Sequence, residues 1–159
     1  MKIACIGGGP GGLYFAISAK RRNPEHDIHV YERNRPDDTF GWGVVFSDQT
    51  LENLRENDPV SAERIFSAFH HWDDIDIHFR GECIRSSGHG FAGLSRQRML
   101  LLLQERAREL GVHLHFETEI DSVADVGECD LVIACDGLNS KIRTQLAEYF
   151  EPDIELRKN

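Results

Sequence analysis

The sequence predicts an α/β fold, in which the strands of a parallel sheet alternate with helices that cover both of its faces. Two runs, Lys2–Ile6 and 130–134, are almost entirely apolar, which is typical of strands buried on both faces of a parallel sheet. Helically spaced apolar residues follow the first run, and a further strand-like run covers 28–32. Together these segments predict a strand-helix-strand unit with a right-handed crossover.

Composition and charge restrict the class of protein. The 159 residues carry 18 Lys+Arg against 27 Asp+Glu, a formal net charge of -9, and 40% are hydrophobic, as in a single globular domain. An acidic chain without a basic stripe offers no electrostatic footprint for nucleic acid. The longest apolar run, 99–103, is far shorter than the roughly 18–20 residues of a bilayer span. We therefore expect neither a nucleic-acid partner nor a membrane partner.

The N-terminus and the cysteines point to the cytoplasm. Met1-Lys2 leads directly into the first strand, which leaves no room for a secretory leader, so we expect a cytoplasmic protein. The cysteines are scattered and contain no CxxC motif, so we expect reduced thiols, mostly in the core. They are Cys5, Cys83, Cys129 and Cys135.

The other elements are predicted from apolar spacing and from capping residues. Asp58-Pro59 suits a helix start, Ser95 suits an N-cap, and Gly111 suits a helix end. Ile75, Ile77 and Phe79 alternate with polar residues, which predicts a half-buried antiparallel strand. In chain order we predict helix 10–22, strand 28–32, a loop over 33–46 that ends in an extended piece at 44–46, helices 48–57 and 59–69, antiparallel strands 72–80 and 83–86, helix 96–110, and strands 112–116 and 130–134.

A glycine-rich turn follows the first strand and satisfies G-x-G-x-x-G at Gly7, Gly9 and Gly12. Gly7 permits the tight turn, Gly9 lets the backbone approach a pyrophosphate, and Gly12 permits close packing of helix and strand. The N-terminus of the next helix presents N–H groups and partial positive charge to the phosphates. Glu32 lies 20 residues after Gly12, where its carboxylate can accept both hydroxyls of an adenine ribose. This context predicts a Rossmann-like dinucleotide site; the alternative is a structural glycine turn.

Two further features carry weaker signals. The segment 135–143 follows the apolar strand, turns at Asp136-Gly137 and continues as a helix. Its backbone therefore lies at the carboxyl edge of the sheet, where it can contact a ligand. The alternative is an ordinary turn with Ser140 as the helix cap. Arg96 begins the leucine-rich helix, and taken alone it is best interpreted as a solvated charge.

In order and spacing, the glycine motif, Glu32, Arg96 and the motif Asp136-Gly137-x-x-Ser140-x-x-Arg143 resemble the N-terminal part of FAD-dependent aromatic hydroxylases of the p-hydroxybenzoate hydroxylase type. The stretch 38–48, DTFGWGVVFSD, resembles more specifically the branch that contains salicylyl-CoA 5-hydroxylase and 2-aminobenzoyl-CoA monooxygenase. The resemblance covers essentially the whole chain. It implies one FAD-binding domain over 1–159, as the N-terminal fragment of a longer enzyme whose substrate domain lies beyond the chain end.

The resemblance also implies roles for individual residues. The motif glycines hold the FAD pyrophosphate, Glu32 the adenosine ribose, and Arg96 the pyrophosphate or ribityl side, while Asp136 and its neighbours support the pyrophosphate and NAD(P)H binding. The implied cofactor-binding residues are Gly7, Gly9, Pro10, Gly11, Gly12, Glu32, Arg33, Val44, Val45, Arg96, Asp136, Gly137, Ser140 and Arg143. NAD(P)H is the implied reductant and an aromatic small molecule, with an aryl-CoA thioester as one option, is the implied substrate. Reduced flavin itself activates dioxygen, so no catalytic side chain is predicted.

The sequence departs from the type hydroxylase at two points. Gly41-Trp42-Gly43 stands where that enzyme carries arginines beside the flavin, and no glycine in the chain is followed by Asp, as in the family's later Gly-Asp motif. Because the resemblance places the substrate sheet and the last flavin-contacting loop beyond the chain end, we expect at most weak FAD binding and no hydroxylation by these residues alone. We also expect an uncovered apolar sheet face that favours self-association, as in a homo-oligomer, or a partner chain. The alternatives are another FAD or NAD(P) oxidoreductase, or a dinucleotide-binding fragment without catalysis.

No metal site is predicted. His70-His71 lie at a polar junction, where adjacent histidines are usually solvated. His113 and His115 share one face of a strand and could supply two ligands, but spacing identifies no third.

Overall fold

A computed structural model describes residues 1–46, 48–153, 155 and 157. Ser47, which belongs to the 38–48 motif, lies outside the described residues. The chain divides into two compact units, which we call the sheet unit (Met1–Pro36 with Leu103–Asn159) and the inserted unit (Asp37–Leu102). In chain order the elements are β1 Lys2–Ile6, α1 Pro10–Arg22, β2 Asp27–Tyr31, β3 Gly43–Val45, α2 Asp48–Asn57, α3 Pro59–Ser67, β4 His70–Trp72, β5 Ile75–Phe79, β6 Glu82–Ser86, β7 Phe91–Ser95, α4 Arg96–Glu109, β8 His113–His115, a 3-10 helix Val123–Val126, β9 Leu131–Ala134, α5 Lys141–Gln145 and α6 Ala147–Phe150.

The sheet unit is built on a parallel sheet with the strand order β8-β2-β1-β9. β1 lies inside the sheet, so Cys5 pairs with Val30 on one side and with Ile133 on the other. Helix α1 packs against β1 and β2. Alternate side chains of β1, Ala4 and Ile6, belong to a buried cluster that also contains residues of the 3-10 helix and α5. This arrangement confirms the predicted α/β fold with a parallel central sheet.

The local signals at helix ends are confirmed. Helix α1 begins at Pro10 and ends at Arg22, as predicted. Asp58 caps α3, because its Oδ2 accepts hydrogen bonds from Ser61 N at 3.2 Å and Ser61 Oγ at 2.6 Å. Ser95 Oγ accepts from Arg98 N at 3.1 Å at the start of α4. These caps depend only on neighbouring residues, which is why the sequence predicts them well.

The inserted unit contains two small antiparallel sheets, β3-β7-β4 and the hairpin β5-β6. The predicted strand 72–80 is wrong in extent, since it divides into β4 and β5. It is also wrong in burial, because every residue of β5 is exposed. Alternation determines which side chains share a face, but burial of that face requires another layer packed against it. Cys83, on β6, is likewise exposed rather than in the core.

β7 is absent from the predicted elements because it contains glycine, which is rare inside strands. At Gly93 a Cβ atom would lie 2.9 Å from the carbonyl oxygen of Val44, so the neighbouring strand approaches too closely for a side chain. Among the described residues, no helix combines the length and the apolarity needed to cross a bilayer.

Candidate cofactor site

The glycine turn lies at the carboxyl end of β1 and is tied to both neighbouring strands. Gly7 N donates to the carbonyl of Tyr31 at 2.8 Å, and Cys135 N donates to the carbonyl of Ile6 at 2.7 Å. Gly7 has a φ of +107°, and a Cβ there would lie 2.3 Å from the carbonyl oxygen of Cys135. Only glycine satisfies both the backbone conformation and this contact.

The glycines around the start of α1 divide into those required by packing within the protein and those that border open space. A Cβ on Gly12 would lie 2.0 Å from the carbonyl oxygen of Gly7, so Gly12 is required by packing within the protein. A Cβ on Gly9 or Gly11 would meet nothing within 4 Å. Gly9 is the N-cap of α1 and Pro10 occupies the first turn, where its missing N–H costs no hydrogen bond. The start of α1 therefore presents backbone N–H groups to open space.

Glu32 is held beside the glycine turn. Its Oε2 accepts from Gly8 N at 2.8 Å, while its Oε1 accepts from Asn34 N at 2.9 Å and from Asn34 Nδ2 at 2.7 Å. A carboxylate has roughly four acceptor positions, so in this conformation about one remains, on Oε2. That suits one ribose hydroxyl rather than the two expected from the sequence.

Gly8 is a site residue that the sequence pattern does not single out, because it occupies a variable position of G-x-G-x-x-G. A Cβ on Gly8 would lie 2.8 Å from Cβ of Glu32. The available signal was the run of consecutive glycines, Gly7-Gly8-Gly9, which exceeds what the motif requires. Gly8 therefore allows Glu32 to come within hydrogen-bonding distance of the turn.

The loop after β9 is stabilised by its own side chains. Ser140 caps α5 by accepting from Arg143 N at 2.9 Å, and its hydroxyl donates to Asp136 Oδ1 at 2.6 Å. The Arg143 guanidinium donates to the carbonyl of Leu138. The side chains of Asp136, Ser140 and Arg143 thus brace the turn, as the alternative of an ordinary capped turn requires. Gly137 has a φ of +89°, and a Cβ there would meet nothing within 4 Å. The backbone at Gly137 is therefore accessible to a ligand.

Two thiols close to this turn, Cys5 in β1 and Cys135 directly after β9, have raised pKa values. Burial, with a smaller contribution from Cys135, raises the pKa of Cys5 to about 12. Burial and the neighbouring Asp136 carboxylate raise the pKa of Cys135 above its ordinary value. Both thiols are therefore protonated at neutral pH, which favours the structural interpretation of Cys135 over a reactive one.

The remaining residues of the predicted set are divided between the units. Arg33 is exposed in the sheet unit. In the inserted unit, β3 pairs with β7 so that Val44 faces Leu94 and Val45 faces Gly93. Arg96 is half-buried, and its backbone N–H donates to the carbonyl of Trp42 at 3.2 Å. The structure thus brings together Gly7–Gly12, Glu32 and 136–143 in one unit, and Val44, Val45 and Arg96 in the other.

Known proteins resemble the chain over nearly its whole length, although no protein-family model matches it. Salicyloyl-CoA 5-hydroxylase of Streptomyces sp is 50% identical over 156 residues, which cover 98% of this chain and 30% of that protein. The 3-hydroxy-4-methyl-anthranilyl-(aryl-carrier protein) 5-monooxygenase of Streptosporangium sibiricum is 33% identical over 150 residues, which cover 94% of this chain and 42% of that protein. The chain thus spans less than half the length of these relatives.

Among solved structures, the crystal structure of CtdE in complex with FAD matches with a TM-score of 0.76 at 21% identity, and covers 91% of this chain and 40% of that one. At this level of identity the match shows a shared fold. The predicted α/β fold is confirmed by it, and the resemblance to hydroxylases of the salicylyl-CoA branch is confirmed by the first relative.

Proposed function

We propose that this chain is the FAD-binding portion of an NAD(P)H-dependent flavoprotein monooxygenase that hydroxylates an aromatic ring carried as a thioester. The observation that carries the proposal is the 50% identity to salicyloyl-CoA 5-hydroxylase across 98% of the chain. The second relative is named for an anthranilyl group on an aryl-carrier protein, so both names describe an aryl group attached to a carrier. A cytoplasmic location and a role in aromatic degradation belong to the same proposal.

The residues of the sheet unit fit the phosphate end of FAD. A net charge of -9 opposes binding of an anionic pyrophosphate, so attraction has to come from local groups. The open space beside Gly9 and Gly11 lies at the N-terminus of α1, where backbone N–H groups and the helix dipole favour phosphate. Glu32, with one acceptor position left on Oε2, would take a ribose hydroxyl.

When bound, FAD supplies the redox chemistry and the activation of dioxygen. The residues of this chain would bind and orient it. Gly7 and Gly12 keep β1 and α1 close enough for the turn to form, and Gly8 brings Glu32 to its edge. The braced loop of Asp136, Ser140 and Arg143 would hold the Gly137 backbone in place beside the cofactor. The family resemblance adds Arg33, Val44, Val45 and Arg96 to the proposed cofactor-binding residues.

Backbone NMR of the 15N-labelled chain tests the cofactor assignment, because it detects weak as well as tight binding. We expect FAD and ADP to shift the amide signals of Gly8, Gly9 and Gly11. Riboflavin, which lacks the phosphates and adenosine, should leave them unchanged. Gly9→Val should remove the response to FAD while leaving the remaining amide signals in place, because the side chain fills the space the phosphates need. Signals that respond to FAD only outside the glycine turn would contradict the assignment.

The reaction is tested in a protein that contains this chain, supplied with FAD, NADH or NADPH, and oxygen. We expect ring hydroxylation of salicyloyl-CoA and much slower turnover of free salicylate. Hydroxylated product and hydrogen peroxide are measured separately, since uncoupled oxidation of the reductant also consumes oxygen. Equal turnover of the thioester and the free acid would reject the carrier-bound substrate while leaving the FAD assignment intact.

A further inference from the structure

Three imidazole rings gather on β2 and β8, at one side of the parallel sheet. β8 lies at the edge of the sheet and pairs with β2 so that His29 faces His113 and Tyr31 faces His115. The rings of His29 and His113 stack with centroids 4.7 Å apart, and those of His29 and His115 with centroids 5.2 Å apart. The sheet register therefore supplies the further histidine that spacing around His113 and His115 did not identify.

An aspartate completes the group. Asp27 Oδ1 lies 3.1 Å from His29 Nε2 and 3.7 Å from His113 Nε2. One ligand atom from each of these residues lies within 4.8 Å of the others. Two imidazoles and a carboxylate are a donor set suited to divalent transition metals, and three protein ligands leave a position for water.

The second nitrogen of His29 has a partner of its own. His29 Nδ1 lies 2.9 Å from His115 Nε2. When Nε2 of His29 binds a metal, its proton has left and Nδ1–H donates to His115 Nε2. Metal-bound histidines commonly have such an outer hydrogen bond, which fixes the tautomer and the ring orientation.

We propose that Asp27, His29 and His113 form a binding site for a divalent transition metal such as Zn²⁺, with His115 as the positioning residue for His29. The site is separate from the cofactor site: Asp27 begins β2, whereas Glu32 follows its end.

The distances from Asp27 to the two imidazoles are close to those of a tetrahedral metal site. Bonds of ~2.1 Å at a tetrahedral centre place two ligand atoms ~3.4 Å apart. The two distances to Asp27, 3.1 Å and 3.7 Å, lie on either side of that value. The side chains of His113 and Asp27 are 59% and 51% exposed, so they can adjust without disturbing the core, while His29 at 22% is the fixed member.

A second group of potential ligands, Asp76, His78 and Cys83 on the β5-β6 hairpin, is a weaker candidate. Arg85 already engages Asp76, with Nε to Oδ1 at 2.7 Å and Nη2 to Oδ2 at 2.8 Å. A metal there would have to displace that pair. This group provides the internal control for the experiment.

The test uses the chain prepared without a polyhistidine tag and freed of metal with a chelator. Co²⁺ is titrated as a spectroscopic probe, and Zn²⁺ is added in competition. We expect one equivalent of Co²⁺ to bind with a ligand-field spectrum of low coordination number, and Zn²⁺ to displace it. His113→Asn, at an exposed edge position, should weaken binding by more than the ~10–100-fold typical of losing an outer hydrogen-bond partner. His115→Phe, which preserves a stacked ring but not the acceptor, should weaken it by ~10-fold or more.

His78→Asn is the matched control and should bind Co²⁺ like the unmodified chain. Unchanged affinity in His113→Asn would overturn the proposal, and so would a loss of binding in His78→Asn. The absence of any Co²⁺ or Zn²⁺ binding at neutral pH would do the same. If His115→Phe binds as tightly as the unmodified chain, the positioning role of His115 is rejected.

Discussion

Two strands of equal length, β1 in the sheet unit and β5 in the inserted unit, differ in the burial of their side chains. β1, Lys2–Ile6, has four of its five residues buried, whereas all five residues of β5, Ile75–Phe79, are exposed. β1 has four apolar residues of five and β5 has three, so apolar content alone does not explain why Ile75, Ile77 and Phe79 are all exposed. β1 has a strand on each side and buried side chains on both faces, while β5 pairs with β6 in a two-stranded sheet. Burial is therefore a property of the layers around a strand.

Besides the backbone ladder of β5 and β6, the hairpin carries a group of exposed ion pairs around Arg85. Arg85 forms a two-point hydrogen bond with Asp76 and a further ion pair with Asp74. Hydrogen bonding to Arg85, followed by its charge, lowers the pKa of Asp76. The pair therefore persists to lower pH than an ordinary aspartate would allow, and is lost as pH falls through the lowered pKa. Exposed pairs of this kind contribute little to stability.

The largest expected difference between the two units comes from truncating an apolar side chain in each. Leu13 in α1 is 1% exposed, whereas Ile77 in β5 is 53% exposed. Leu13→Ala should lower the free energy of unfolding by ~2–5 kcal/mol, because it removes buried methyl groups and leaves a cavity. Ile77→Ala should change it by ~0.5 kcal/mol or less. Urea denaturation monitored by circular dichroism measures both, and similar losses in the two variants would show that the hairpin is buried in solution.

What the sequence predicts well and what it misses divide between local contacts and contacts of distant segments. Helix α1 depends on local apolar spacing and Pro10, and Asp58 caps α3 from three residues away, so both were predicted. Contacts between distant segments were not accessible in this way. His29 and His115 meet across 86 residues of chain, and Gly8 meets Glu32 across 24, because strand register brings them together. The pattern of apolar and polar residues alone does not determine which residues of two strands pair.

The second prediction compares neighbouring glycines at the start of α1. A Cβ on Gly12 would lie 2.0 Å from a backbone carbonyl oxygen, whereas one on Gly11 would meet nothing within 4 Å. Gly12→Ala should destabilise the sheet unit by ~1–3 kcal/mol, because the backbone has to shift. Gly11→Ala should be neutral or stabilising by up to ~1 kcal/mol, because alanine has less freedom to lose on folding. Thermal unfolding of the pair checks the assignment, and equal midpoints would remove Gly12 from its packing role.

The third prediction concerns cofactor binding and has little effect on the fold. Glu32→Ala should weaken FAD binding by ~1–3 kcal/mol, roughly 5- to 150-fold, because a charge-assisted acceptor is lost and Gly8 N loses its hydrogen bond to the carboxylate. Glu25→Ala is the control, since it removes the same charge from an exposed position after α1. Titration followed by flavin fluorescence measures both. If the two variants bind FAD equally, general charge rather than the position of Glu32 governs affinity.

The smallest perturbation is chemical labelling, which needs no substitution and compares one thiol in each unit. Cys5 is buried in β1 and has a pKa of about 12, so at pH 8 only ~1 in 10⁴ molecules carries its thiolate. Cys83 is exposed on β6. Iodoacetamide at pH 8 should therefore modify Cys83 rapidly and Cys5 only after denaturation, with Cys135 slowed by its own raised pKa. Peptide mass spectrometry measures each site, and a urea-denatured sample confirms that all four thiols can react. Modification of Cys5 at the rate of Cys83 in the folded chain would mean that the parallel sheet opens as readily as the hairpin.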